Sequence, residues 1–283
     1  MQPAANWINY EERLNRVTAY IYAHLDDELD FLMLAEVAFL SPYHFHRIYR
    51  AARGETIATT VRHLRLHRAA GLLAQTTLPI AEISLKAGYK NIQSFTRTFN
   101  AIYGMPPARY RNHGSHTQYQ STNLERSLAM YNITIKTLPD LEVVSIKHSG
   151  SYLQISQAFG QLGNWLGARN FLGADTRMMG LYYDDPDTVA EKDLRSRACM
   201  TVSKPCVLEV PLELITIAGG EYAVLLHKGS YDGLAAAYQW FFGTWLLQSG
   251  RELRDAPAFE EYLNTPMDTA PAELLTEIHL PLN

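Results

Sequence analysis

The chain has 283 residues, 47 % of them apolar and 19 % charged, with a formal net charge of −4. That length suggests about two domains, and the apolar share is ample for packed cores. No apolar run approaches the ~18 residues of a membrane-spanning helix, and the first residues lack the basic-then-apolar order of a signal peptide. The only cysteines, Cys199 and Cys206, match no zinc spacing and suit a reducing cytoplasm. The net charge hides a split. Residues 1–114 carry 13 Lys and Arg against 9 Asp and Glu, whereas residues 115–283 carry 12 against 20. Within 31–111 the balance is 11 against 3, so a polyanionic partner is expected for the first half alone.

In chain order, the first 110 residues predict helix after helix. Tyr10, Leu14, Val17, Ile21 and Leu25 recur at spacings of three and four, one face of a helix. Ser41 is a good N-cap and Pro42 a tolerated first-turn residue, with Gly54 as the stop. A longer helix over about 57–75 follows, carrying Val61, Leu64, Leu66, Ala69, Leu72 and Leu73. Gly88 separates a short helix from another over Ile92–Tyr103, and Gly104, Pro106 and Pro107 end the array. Residues 112–127 are polar and read as a linker. From Ile133 alternation predicts strands, with helical stretches near 153–169 and 232–249.

Two internal repeats organise this pattern. Ala35-Glu36-Val37 matches Ala81-Glu82-Ile83, and Phe45-His46-Arg47-Ile48-Tyr49 matches Phe95-Thr96-Arg97-Thr98-Phe99, with a longer turn in the second copy. A short helix, a tight turn and a second helix make a helix-turn-helix. Phe45, Tyr49, Phe95 and Phe99 are its expected core. The second repeat lies 79 residues apart: Glu142 to Tyr152, with His148-Ser-Gly-Ser-Tyr152, matches Glu221 to Tyr231, with His227-Lys-Gly-Ser-Tyr231. Each copy reads as strand, glycine turn and amphipathic helix. Two such halves form a pseudo-two-fold body, and pockets often form at such interfaces. His148 and His227 are repeated symmetrically and read as structural.

Residues 10–111 resemble the AraC-family DNA-binding domain. The carriers are Leu34-Ala-Glu-Val-Ala38, Ser41 to Tyr49, Ile80 to Tyr89, Ser94-Phe-Thr-Arg-Thr-Phe99 and Gly104-Met-Pro-Pro-Ala-Arg-Tyr-Arg111. Residues 131–282 are similar to the GyrI-like effector-binding domain, through His148 to Tyr152, Gly180 to Pro186, His227 to Tyr231, Trp245 to Gly250 and Phe259 to Asn264. The order is that of Rob-type regulators. Together these readings predict a multidomain chain. Residues 1–111 are an all-α domain with two helix-turn-helix units joined by a long helix, and residues 112–127 are the linker. Residues 128–283 are an α+β domain, a duplicated strand–helix–strands unit on an antiparallel sheet.

The resemblance implies a sequence-specific transcription regulator of the cytoplasm, without enzymatic activity, cofactor or metal. Its implied partners are double-stranded DNA, a small-molecule effector and RNA polymerase, with no membrane. The second helix of each unit would enter a major groove; one turn of B-DNA is about 34 Å, so the helices sit that far apart or the duplex bends. The implied reading residues are Tyr43, His44, His46, Arg47 and Arg50 on the first helix, and Ile92, Gln93, Ser94, Thr96 and Arg97 on the second. Arg suits guanine and Gln adenine, whereas Ile92 can offer only a methyl contact. Lys90, Arg109 and Arg111 suit phosphate.

For the effector the resemblance implies a pocket between the repeats, walled by Tyr152, Phe159, Trp165, Tyr182, Tyr238, Trp245 and Tyr262, with Glu260 as the acidic residue. A carboxylate among aromatic faces attracts a flat, lipophilic organic cation. Two alternatives stay open: hydrolysis of a small xenobiotic with Glu260 as general base, and a protein-docking module.

Overall fold

A computed structural model describes residues 5–113, 131–186 and 188–283. The first half is helical: α1 (Ala5–Ala23), α2 (Phe31–Ala38), α3 (Pro42–Arg53), α4 (Ile57–Gln75), α5 (Ile80–Lys86), α6 (Ile92–Tyr103) and α7 (Pro107–His113). Local chemistry sets the ends. Asp30 accepts from the Leu32 amide and Ser41 from the Tyr43 amide, while Asn91 accepts from those of Gln93 and Ser94. Each such bond satisfies an amide that the helix itself leaves open. Gly54 and Gly104 close α3 and α6 in the left-handed conformation.

Two helix-turn-helix units result, α2–α3 with a three-residue turn and α5–α6 with a five-residue turn, joined by α4. Each has its own core. Phe45 and Tyr49 pack with Leu14, Val17, Ile21 and Leu34, and Phe95 and Phe99 pack with Leu66, Ala69, Leu73 and Tyr110. The four aromatics expected inside are buried. The expected linker over 112–127 lies, from residue 114, outside the described residues; residues 112 and 113 belong to α7.

The second half is α+β. Its strands are β1 (Ile133–Leu138), β2 (Leu141–Ser149), β3 (Met178–Tyr182), β4 (Arg195–Met200), β5 (Leu212–Ile217), β6 (Gly220–Lys228), β7 (Ala258–Tyr262) and β8 (Leu275–Pro281). Its helices are α8 (Ser156–Ala168) and α9 (Leu234–Trp240); α9 continues through a π-helical turn, Phe241–Leu246, into Leu247–Ser249. All the strand pairings are antiparallel, in the order β1-β6-β8-β7-β3-β4-β2-β5. That order is its own mirror when β1–β4 are exchanged for β5–β8, the duplication made visible. Each copy lends its first strand to the other, β1 to β6 and β5 to β2. The two hairpin turns meet where the Gly219 amide donates to Asp140 at 2.7 Å, and a Cβ on Gly219 would lie 2.6 Å from the Asp140 nitrogen.

The two halves share a core. Tyr10 of α1 and Ile48 of α3 are buried in one cluster with Trp240, Phe241, Phe242, Leu246 and Leu247. Polar bonds ring it: Arg13 to Glu252 at 2.7 Å, Ser41 to Asp255 at 2.7 Å, and His44 Nε2 against the Ala256 carbonyl at 2.8 Å. Among the described residues no helix is long and apolar enough to cross a membrane.

Candidate functional site

The pseudo-two-fold axis passes between β3 and β7, where Gly180 pairs with Glu260, Met178 with Tyr262 and Tyr182 with Ala258. Alternation along a strand puts Gly180, Tyr182, Glu260 and Tyr262 on one face. The duplication therefore brings a glycine and a carboxylate to equivalent positions, side by side. The glycine leaves room: a Cβ on Gly180 would lie 2.9 Å from the Tyr182 ring and hydroxyl and 3.0 Å from the Tyr262 hydroxyl. The two phenols close over it, their oxygens 2.6 Å apart.

Glu260 is 4 % exposed. The Tyr238 hydroxyl donates to one of its oxygens at 3.0 Å and the Tyr262 hydroxyl to the other at 2.9 Å. Burial pushes its pKa up to about 7, against the pull of the two phenols and of Arg47. Burial, followed by the Glu260 charge, raises the Tyr238 and Tyr262 hydroxyls well above the ordinary tyrosine value. Tyr152 packs edge-on to Tyr182 at 4.8 Å, and its repeat partner Tyr231 packs edge-on to Tyr262 at 5.5 Å. These groups line a cavity of about 680 Å³, closed further by Phe242, Leu234 and Leu194. That volume suits a drug-sized organic molecule.

Five of the eight expected ligand residues meet here: Tyr152, Tyr182, Tyr238, Glu260 and Tyr262. Three do not. Phe159 stands behind Tyr262, edge-on at 5.5 Å. Trp165 stacks on Phe171 under Arg169, and Trp245 packs on Phe241. The face of α8 and the π-helical turn after α9, which carry these indoles, cover apolar core rather than the cavity. Tyr231 was missed, although its repeat partner Tyr152 signals it.

The wall the sequence did not suggest comes from α3. Arg47 and Arg50 line the same cavity. The Arg47 guanidinium lies over the Tyr238 ring, 4.7 Å from its centroid, and 5.7 Å from that of Phe242; it donates to the Asp184 carbonyl at 3.2 Å. Tyr43 faces Tyr183 at 6.4 Å. His44, expected to point outward, is 1 % exposed between the domains, and burial lowers its pKa to about 3. His46 stacks on Phe31 with ring centroids 3.8 Å apart, and burial lowers its pKa to about 4. In this arrangement Tyr43, His44 and Arg47 are turned to the second domain instead of outward, because α3 carries a second apolar stripe that the second domain buries.

The second unit differs. Lys90, Ile92, Gln93, Ser94 and Arg97 are exposed and Thr96 is half-buried. Arg109 is exposed as well. Arg111, expected at phosphate, is half-buried and donates to the Leu78 carbonyl, tying α7 to the turn before α5. Elsewhere Glu261, Glu277 and His279 lie close enough to hold a cation, but Arg177 grips both oxygens of Glu261 and Lys136 both of Glu277, a network of ion pairs.

Residues 131–283 match the GyrI-like small molecule binding domain, and residues 34–113 match a helix-turn-helix domain. The chain is 24 % identical over 281 residues to the transcriptional regulator Rob of Salmonella typhimurium, covering 93 % of this chain and 95 % of Rob. It is 32 % identical over 113 residues to a DNA gyrase inhibitor of Enterobacter lignolyticus, covering 39 % of this chain and 71 % of that one. An uncharacterized HTH-type transcriptional regulator of Bacillus subtilis, YbfP, is 34 % identical over 102 residues, 36 % of this chain. The chain spans 35 % of YbfP and about half or less of several other regulators it matches. Among solved structures, the C-terminal domain of EcmrR aligns with 55 % of this chain and 99 % of its own length, at 22 % identity and a TM-score of 0.46. The chain belongs to the GyrI-like small molecule binding family, with an AraC-type helix-turn-helix domain ahead of it.

Proposed function

We propose that this chain is a transcription regulator that reads DNA through α3 and α6 and is controlled by a small lipophilic organic cation bound at Glu260. Double-stranded DNA and, through it, RNA polymerase are its partners, and the cytoplasm its place of work. The observation that carries the ligand half is the carboxylate of Glu260, buried at the floor of an aromatic cavity and bonded to two phenols. A buried carboxylate so held is half-compensated, and a delocalised cation completes it by charge and by contact with the ring faces. A concave cavity floored by a buried carboxylate favours a small molecule over a protein partner, which would want an exposed apolar patch.

The DNA half rests on the duplicated unit, the basic excess over 31–111 and the exposed α6 face with Arg97, Gln93 and Ser94. Arg97 and Gln93 have the donor and acceptor patterns that major-groove edges require.

The experiment is titration of tetraphenylphosphonium, a delocalised organic cation, into the full chain and into Glu260→Gln. Calorimetry should register binding by the wild type and at least a tenfold weaker Kd for the variant, the scale of one lost charge contact of ~1.4 kcal/mol. Equal affinity removes the carboxylate from recognition. A neutral ligand of the same shape should not distinguish the two proteins.

A further inference from the structure

We infer that Arg47 is the protein's own occupant of the cation site, and that an effector cation must expel it and so release α3 for DNA. The inference rests on the ligand reading above and adds how the site is regulated. The same arginine stands in two places. In the repeat it corresponds to Arg97 on the reading face of α6. In the fold its guanidinium lies on Tyr238 and Phe242, hydrogen-bonded to the Asp184 carbonyl, in the cavity that Glu260 floors. A planar, delocalised cation over aromatic rings beside a buried carboxylate is what an organic cation ligand would itself present.

The neighbours of Arg47 hold the whole helix against the second domain. His44, Ile48 and Ala51 lie on successive turns of α3 and all face the second domain. His44 bonds to Ala256, Ile48 is buried with Phe242, and Ala51 would touch a Cβ built at Gly243 at 3.0 Å. A recognition helix must lay its outer face in the major groove. While these contacts hold, α3 cannot do so, and only α6 offers its reading face.

An effector that lies on the Tyr238 and Phe242 rings, in the cavity beside Glu260, meets Arg47 there with a like charge. It binds with full strength only to molecules in which Arg47 has left, and its apparent affinity is reduced by the fraction that has not. Expulsion removes one anchor of α3 and frees the side chain that would read DNA. Cation and specific DNA therefore strengthen one another, each by the same factor.

Two measurements on the full chain test this. The first is tetraphenylphosphonium titration of wild type, Arg47→Ala and Glu260→Gln. Arg47→Ala should bind about tenfold tighter, the occupant being gone. Equal or weaker binding overturns the inference while leaving the Glu260 reading intact, and absence of binding by both wild type and Arg47→Ala overturns both. The second separates expulsion from simple charge repulsion. An Ala51→Cys, Gly243→Cys pair in a Cys206→Ser background can close a disulfide between α3 and the second domain. The oxidised form should bind the cation at least tenfold more weakly than the same protein after dithiothreitol. Equal affinity of the two redox forms means that the cation binds without α3 being released, and overturns the inference.

Discussion

α3 and α6 are two copies of one design in two environments. Both are twelve residues long, capped by a side-chain oxygen at one end and a left-handed glycine at the other. Both bury an aromatic pair four residues apart and carry an arginine between them. They differ along the next stripe: α3 has His44, Ile48 and Ala51 where α6 has Ser94, Thr98 and Ala101. Thr98 spends its hydroxyl on the Ser94 carbonyl at 3.0 Å, whereas Ile48 is buried against the second domain. The inner face decides that a helix forms and how it sits in its unit. The outer stripe decides whether that helix is available to a duplex or held by its own chain.

The largest effect should come from the inner faces. Phe99 is fully buried among Phe95, Tyr103 and Tyr110. Phe99→Ala should cost about 3–5 kcal/mol, and limited proteolysis should then cut within α5–α7 first. Phe45→Ala should cost as much, yet the cut should spread to α1–α3 and loosen the joint, since this unit alone shares a core with the second domain. Identical cleavage patterns would mean that the units are equivalent and the contrast empty.

Next in size are exchanges on the outer stripe. Ile48→Thr gives α3 the residue of α6 and should cost about 1–3 kcal/mol through lost burial. Solution scattering should show a more extended molecule. Thr98→Ile, the reverse exchange at a half-buried position, gives up the bond to the Ser94 carbonyl and should change stability by about 1 kcal/mol or less. The arginines give a comparable pair on DNA. With a duplex selected from random sequences and no effector present, Arg97→Ala should lose about 1–3 kcal/mol at one or two base pairs. Arg47→Ala should lose less than about 0.5 kcal/mol, since α3 is already occupied. Equal losses would place both helices in grooves without an effector.

Much of this was legible from residues alone. Tyr10, Leu14, Val17 and Ile21 declared the buried face of α1 because a helix repeats every 3.6 residues, and Ser41, Pro42, Gly54 and Gly104 declared the ends by local chemistry. The duplicated His-x-Gly-Ser-Tyr turns announced a two-fold body with a cavity at its axis, whereas Tyr152, Tyr182, Glu260 and Tyr262 as its lining came from the family resemblance. Trp165 and Trp245 misled because aromatic richness does not say which face of a helix meets a cavity. The position of Arg47 was not readable: it depends on contacts between residues more than 130 positions apart, as with Asp184 and Tyr238. The nearest signal was Ile48, an aliphatic residue where the sister helix carries Thr98.

The smallest net change in the unaltered protein, and the one that separates joint from cavity most directly, is in pH, where two opposed contributions offset. His44 sits in the joint with its pKa lowered to about 3, and Glu260 in the cavity with its pKa raised to about 7, both by burial. Their signs oppose. The stability His44 contributes is present above the unfolded value near 6.5 and is lost as pH falls, because the unfolded chain takes up the proton that the folded joint refuses. The contribution of Glu260 is complete below the unfolded value near 4.5 and is lost as pH rises through about 7. Between pH 6.5 and 4.5 the two largely offset, each changing by at most about 1.4 kcal/mol per pH unit. His44→Gln should therefore make thermal stability rise on acidification through this window relative to the wild type, and Glu260→Gln should make it fall more steeply. Cation binding has no such balance. It needs the ionised carboxylate, so affinity should be flat above pH 7 and fall by up to tenfold per unit below it, in wild type but not in Glu260→Gln. A profile that followed His44 instead would mean that the joint, and not the carboxylate, limits entry of the cation.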